Sequence, residues 1–280
     1  MSLPRDRLLC MSLSFNGQLC HAHATGCCAH AVEIVRATAR GRKKRFAPVL
    51  ALWHHPYETL GIRGKRYGCM VRSACVDKKV TFPAGDLTLE GRLWLATGSR
   101  DVGVVLCHPH PLHGGNMYSN VVSAVAEALW QHDVSTLRFN FRGTGASTGS
   151  HGDGDTEGAD VAAAIAYLLS CHPIARLAVA GYSFGAGVGL LAGAADARVT
   201  ALVGIAPPVA RRDMSPLHTC TKAKLFVTGD KDHVCPLPVL QDLMARCPEP
   251  KALALIPGAD HFFLGREAEV AEAVVSFVTQ

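Results

Sequence analysis

Ser183 stands between two glycines in Gly181-Tyr182-Ser183-Phe184-Gly185, where an apolar run from Leu177 to Ala180 gives way to a small-residue helical stretch, Ala186 to Ala195. A serine so placed at a strand-to-helix junction describes a nucleophile elbow. The chemistry needs that geometry because an unassisted serine hydroxyl is a weak nucleophile. A sharp turn lifts its oxygen clear of the backbone, and glycine neighbours let other chain segments pass without a clashing Cβ. The helix that begins there also turns unsatisfied backbone N–H groups toward the same point.

Two later strand ends supply groups that could activate such a hydroxyl. The apolar run Ala223 to Val227 leads into Gly229-Asp230-Lys231-Asp232-His233, and the run Ala252 to Ile256 leads into Pro257-Gly258-Ala259-Asp260-His261. Each places titratable residues just past the C-terminal end of an expected parallel strand, the edge where open α/β sheets bind ligands. In triad chemistry His261 takes the proton from Ser183 and returns it to the leaving group. A buried carboxylate fixes the imidazole tautomer and orientation. Asp230, Asp232 and Asp260 compete for that last role.

The chain resembles the α/β-hydrolase superfamily, and within it small capless serine hydrolases related to the dienelactone hydrolase branch. The resemblance rests on His108-Pro109-His110-Pro111-Leu112-His113-Gly114-Gly115-Asn116, on Phe139-Asn140-Phe141-Arg142-Gly143-Thr144-Gly145-Ala146-Ser147, on the elbow, on Gly229 to Asp232, and on Asp260-His261. It covers about residues 78 to 278. Ser and not Cys occupies position 183, so the dienelactone substrate itself is not implied. The family pattern places the acid third after the strand-ending glycine, which is Asp232. Asp260 adjoins His261, and adjacent side chains usually point apart, while Asp230 suits a hydrogen bond to its own loop backbone.

In this fold one oxyanion donor is the backbone N–H after the nucleophile, here Phe184. The other is expected from the loop after the strand Val102 to Cys107. Pro109 and Pro111 have no N–H, which leaves the backbone of His110. Two such donors typically stabilise a transition state by several kcal/mol.

His108, His110 and His113 also invite a zinc reading. The prolines stiffen the run and no nearby Asp-His supplies the rest of a coordination sphere, so the plainer expectation is that they shape the oxyanion loop. No metal and no cofactor are expected. The glycine-rich loop carrying Gly143, Gly145 and Gly149 lacks the Lys-Ser/Thr and the immediate helix of a phosphate-binding loop. Arg142 is expected to anchor that loop, and Asp160 to serve as a first-turn acid of its helix.

The elements that must position these groups follow a doubly wound pattern. Leu87 to Ala96 alternates, as for an antiparallel strand at the sheet edge, and Val102 to Cys107 is a continuous apolar run suited to a doubly buried strand. Asn120 is expected to cap a helix through about Trp130, with Ser135 to Asn140 the next strand. Glu157 to Ser170 reads as a helix and Val199 to Ile205 as a strand. The fold class is therefore α/β with a mostly parallel doubly wound sheet flanked by helices, which the resemblance makes an α/β-hydrolase fold without a large cap. About 15 residues between Ala206 and Thr221 leave little room for a lid or cap, so the site should be open. No stretch reaches the 18 to 20 apolar residues of a membrane span.

The 280 residues carry net charge +5, unevenly spread. Residues 1 to 75 hold twelve Lys and Arg against three acids, a net of +9, and the remainder carries −4. The catalytic domain expected at 76–280 is thus mildly acidic, which argues against a nucleic-acid partner. The basic extension, 1–75, has six of the eleven Cys, with Cys20, Cys27 and Cys28 near His21, His23 and His30. It is read first as a disordered or non-native extension, then as an organellar transit peptide, then as a metal tract. Translation from Met70 is a further reading. Cys107, Cys171, Cys220, Cys235 and Cys247 are expected to be free thiols of a reducing compartment, and the location cytoplasmic unless residues 1–69 direct the chain to an organelle.

The expected activity is a serine hydrolase cleaving carboxylic esters or related small acyl compounds through an acyl-enzyme. A peptidase or amidase of the same fold, or a non-catalytic binding protein on it, are the alternatives.

Overall fold

A computed structural model describes residues 10–13, 19–22 and 77–280 of the chain. The chain divides into two compact units, Met1–Gly68 and Cys69–Gln280. In the first, β1 (Cys10–Leu13) pairs antiparallel with β2 (Leu19–Ala22), a hairpin that the weak periodicity of this segment did not announce. The expectations of disorder, a transit peptide, a Cys/His tract or a start at Met70 otherwise lie outside the described residues.

The second unit is built on an eight-stranded sheet. Its strands are β3 (Lys78–Ala84), β4 (Leu87–Trp94), β5 (Val102–Cys107), β6 (Ser135–Phe139), β7 (Arg176–Tyr182), β8 (Ala201–Ile205), β9 (Ala223–Gly229) and β10 (Lys251–Ile256). Their spatial order is β10-β9-β8-β7-β5-β6-β4-β3. The six from β6 to β10 run parallel, and β4 and β3 add an antiparallel hairpin at one end. All six residues of β5 are buried, as expected of a strand covered on both faces.

Five helices cover the sheet: α1 (Asn120–Gln131), α2 (Glu157–Cys171), α3 (Phe184–Ala195), α4 (Leu237–Arg246) and α5 (Glu267–Val278). α1 packs on α5 and α2 on α3. Right-handed crossovers put these pairs on opposite faces, because the chain steps outward from β5 to β6 and then returns past β5 to β7. That reversal makes the β5/β7 junction a topological switch point, with Cys107 level with Gly181. Val121, Val125 and Leu129 of α1 and Val161, Ile165 and Leu168 of α2 are fully buried at helical spacing. Each such side chain contributes about 1.5–3 kcal/mol on leaving water.

Two local expectations need correction. Leu87 to Ala96 is not the sheet edge, because β3 pairs outside β4 through the two-residue turn Gly85-Asp86. The positive φ of 61° at Gly85 suits so tight a connection. Asn120 is the first helical residue of α1 and not its cap, which is Ser119. Its side chain is used elsewhere, as the site shows. Between β8 and β9 the chain forms only the short 3-10 helix Ser215–Thr219, so this connection holds no cap. Among the described residues no helix is long and apolar enough to cross a membrane.

Candidate active site

The elbow begins where β7 ends. Ser183 has φ 55° and ψ −116°, a combination that L-residues rarely adopt and that typically costs about 1–3 kcal/mol. The surrounding structure enforces it: the Ser183 N–H donates to Ile205 O of β8 at 2.8 Å, and α3 starts at the very next residue. Both glycines are needed for close approach. A Cβ on Gly181 would lie 2.2 Å from Gly185 O, and one on Gly185 would lie 2.4 Å from His108 O and 2.5 Å from Cys107 O. The elbow therefore presses directly on the end of β5.

His261 follows β10, and its Nε2 lies 2.9 Å from Ser183 Oγ. Its Nδ1 lies 2.9 Å from Asp232 Oδ2. The other Asp232 oxygen accepts from the backbone N–H groups of Val234 and Cys235, both at 2.8 Å. The Asp232 side chain is fully buried. Burial opposes its charge, but the hydrogen bonds from His261 and from Cys235 and Val234 outweigh burial and hold the carboxyl below its ordinary range. The two competing carboxylates are engaged locally. Asp230 accepts from Gly258 N at 2.7 Å, and Asp260 accepts from Phe262 N at 2.9 Å.

Two residues that the sequence did not place at the site hold the His261 loop. The Tyr182 hydroxyl donates to His261 O at 2.8 Å. Burial, together with the carboxylates of Asp232, Asp260 and Glu267, pushes this phenol up, so it remains a neutral donor. Asn120 Nδ2 donates to Phe262 O at 3.0 Å and to Glu267 Oε1 at 2.9 Å. Only the position of Tyr182 inside the elbow could have signalled its part. Asn120 is 142 residues from Phe262, and no local pattern relates them.

The loop after β5 is pinned by His108, which is completely buried. Its Nε2 accepts from Phe141 N at 3.0 Å, which assigns the proton to Nδ1, and Nδ1 donates to Pro109 O at 2.6 Å. Burial pushes this imidazole down to about 4, against the pull of the Pro109 carbonyl. It is a neutral brace. Beside it, the backbone N–H groups of Phe184 and His110 form no hydrogen bond among the described residues. Both residues line a cleft of about 740 Å³ with Ser183, His261, Tyr182 and Phe262. His113, Arg211 and Arg212 also reach its wall.

The glycine-rich loop after β6 is occupied by protein. Glu90 Oε1 accepts from Asn140 Nδ2 and from Ala146 N, both at 2.7 Å, while Asn140 Oδ1 receives Met117 N at 2.8 Å. Arg142 donates through Nη2 to Asp160 Oδ1 at 2.7 Å, and the Arg142 N–H donates to Asp160 Oδ2 at 2.9 Å. Asp160 is thus more than a first-turn acid: its buried carboxylate anchors the loop, as expected of Arg142 from the other side. Cys107, Cys171, Cys220, Cys235 and Cys247, the cysteines of this unit among the described residues, are all free. Burial pushes the Cys107 thiol up strongly and that of Cys235 to about 12, so neither is a ready nucleophile.

The three histidines of the loop are not one cluster. His108 is spent on backbone, while the ring of His110 comes together with His151 and the Asp153 carboxylate. Those two lie about forty residues further on and were absent from the sequence reading.

A family model described as serine aminopeptidase, S33 (Hydrolase_4) matches residues 109–224. The uncharacterized protein RP471 of Rickettsia prowazekii is 30% identical over 209 residues, covering 71% of this chain and 88% of that protein. An alpha-beta serine hydrolase homologue from Coxiella burnetii is 32% identical, with TM-score 0.67 over 72% of this chain and 97% of that one. XC6422 from Xanthomonas campestris, a serine hydrolase without lid, is 29% identical, with TM-score 0.63 over 72% and 95% of the two chains. The chain belongs to the α/β-hydrolase superfamily.

Proposed function

We propose that this chain is a serine hydrolase acting on carboxylic esters or related small acyl compounds through an acyl-enzyme. One observation carries the reading: Ser183 Oγ, the His261 ring and the Asp232 carboxylate form an unbroken hydrogen-bonded series with two links of 2.9 Å. Ser183 Oγ attacks the acyl carbon while its proton passes to His261 Nε2. The resulting imidazolium is held and stabilised by the Asp232 carboxylate, which keeps its own charge. The developing oxyanion is received by the Phe184 and His110 backbone N–H groups. Collapse expels the alcohol, which takes the proton from His261 Nε2 and leaves the acyl group on Ser183. A water molecule then repeats the sequence in reverse, giving up its proton to His261 and releasing the acid.

The absence of a cap segment between β8 and β9 supports small or exposed acyl groups over long buried chains. Partners in this reading are small acyl substrates. The name of the matching family model, serine aminopeptidase, favours a second reading as a peptidase or amidase. Against it stands the missing cap, since peptidases of this superfamily usually select peptides with an added element. Fluorophosphonate labelling, followed by hydrolysis of activated esters of graded acyl length and of aminoacyl amides, tests both readings. Labelling at Ser183 with ester turnover fastest on short acyl chains is expected. Preference for the aminoacyl amides would install the second reading, and absence of labelling would leave a binding protein on a hydrolase fold.

A further inference from the structure

The cluster of His110, His151 and Asp153 plays no part in the proton path from Ser183 to Asp232. One ligand atom from each of the three lies within 4.8 Å of the others. His151 Nε2 is 3.2 Å from Asp153 Oδ1. That is close to the edge, about 3.3 Å, of a tetrahedral shell with bonds of roughly 2.0–2.1 Å. The half-exposed His110 ring sits with its centroid 4.9 Å from that of His151. His110 Nδ1 accepts from Leu112 N at 3.3 Å, which leaves its Nε2 as the ligand atom, and the exposed Asp153 carboxylate can rotate to close the remaining gap.

The other side of His151 is already arranged. Its Nδ1 lies 2.9 Å from Glu157 Oε1, whose carboxylate is completely buried. Glu157 is fixed in turn by the N–H groups of Gly152 at 2.7 Å and Gly154 at 2.8 Å. A ring carrying its proton only on the Nδ1 that faces Glu157 would turn its Nε2 lone pair toward a second acceptor, the Asp153 carboxylate 3.2 Å away. The ring is 9% exposed, and neither nitrogen forms a hydrogen bond of acceptable geometry. A cation between Nε2 and Oδ1 would resolve that opposition. The carboxylate–histidine–metal relay is the usual way a metal-binding imidazole is oriented. Arg212 donates to Asp153 O at 3.5 Å and to Gly154 O at 3.0 Å, which holds the loop that presents the carboxylate.

We propose that His110, His151 and Asp153 form a binding site for a borderline divalent ion of the zinc class, with Glu157 positioning His151 from behind. Two imidazoles and one carboxylate suit zinc and leave a fourth position open, whereas magnesium and calcium ask for oxygen ligands. His110 and Asp153 both line the cleft that carries Ser183, so the site lies in its wall, and the proton path described above does not use it.

Isothermal titration of the full chain with zinc chloride tests the site, compared with His151→Gln and Asp153→Asn. Asp153 is exposed and has φ 52°, a conformation asparagine adopts readily, so the second variant should fold like the parent. Because the chain holds other thiols and histidines, the readout is the difference between proteins. The parent should bind one more equivalent of zinc than either variant, or bind it at least tenfold more tightly, and magnesium should give no such difference. Equal zinc stoichiometry and affinity in parent and Asp153→Asn would overturn the proposal, as would a magnesium response of the same size. The readout uses no ester turnover, so it stands or falls apart from the catalytic reading.

Discussion

The backbone N–H of Phe141 donates to Nε2 of His108 at 3.0 Å, joining the loop after β6 to the loop after β5. The bond requires a neutral imidazole, because a protonated ring would turn a second donor toward that N–H. Burial supplies the neutrality by penalising the charged form. The brace lies directly below the segment that presents the His110 N–H.

Stability should therefore fall on mild acidification. The folded-state pKa of His108 is depressed to about 4 from an ordinary 6.5, so between these values the unfolded chain binds a proton that the folded chain refuses. This contribution is fully present above pH 6.5 and is lost as pH falls toward 4. From pH 7 to pH 5 it amounts to about 2 kcal/mol. Urea unfolding of the parent and of His108→Gln at both pH values checks it. The parent should lose more stability than the variant by roughly that amount, and parallel losses would remove His108 from the account.

Ser183→Ala should abolish fluorophosphonate labelling and ester turnover together while leaving the melting temperature within a few degrees or raising it, since the φ of 55° at this position is strained. Labelling that persists at another serine identifies a different nucleophile.

His261→Ala should lower turnover by several orders of magnitude, and Asp232→Asn by roughly 10²–10⁴-fold, because the amide cannot hold the productive tautomer. Asp260→Asn should cost little, since its carboxylate caps the Phe262 N–H on the surface. Steady-state rates of the three variants decide the matter. A larger loss in Asp260→Asn than in Asp232→Asn would reassign the acid.

Gly185→Ala should damage turnover more than its one methyl group implies. The added Cβ would meet carbonyl oxygens of Cys107 and His108, backbone that cannot rotate away. A stability loss of about 1–3 kcal/mol is expected from overpacking, together with a displaced Ser183. Thermal melting and kcat of the purified variant test both parts.

Chelation should leave ester turnover at its full value, because both nitrogens of His261 are already engaged, with Ser183 and with Asp232. Rates before and after EDTA dialysis give the answer. A chain beginning at Met70 should likewise hydrolyse esters at the parental rate, since every proposed site residue lies after position 100. An insoluble or inactive product would tie the basic extension to the chemistry.

Much of the architecture was legible along the chain because burial writes a local pattern. The apolar run of β5, the helical spacing in α1 and α2, and the glycines that flank Ser183 each encode an element or a turn in a dozen residues or fewer. Expected boundaries for β5, α1, α2 and β9 agree with the structure within two residues. Strand β3 and helices α4 and α5 were not assigned, although Val270, Val274 and Val278 of α5 are buried at helical spacing.

The meetings of side chains were decided elsewhere. Three aspartates stood near two strand ends, and only the parallel pairing of β9 with β10 lets the Asp232 carboxylate reach His261 across 29 residues. The crossover that returns from β6 to β7 past β5 sets the β5 loop against the elbow, and the loop that opens this crossover brings His151 and Asp153 to His110. Asn120 left its expected cap for Phe262 and Glu267 by the same kind of choice. Hydrophobic period specifies what an element is, because its two faces meet different solvents. Which elements become neighbours depends on strand order and crossover hand, and these are properties of the assembled sheet that no short window of residues contains.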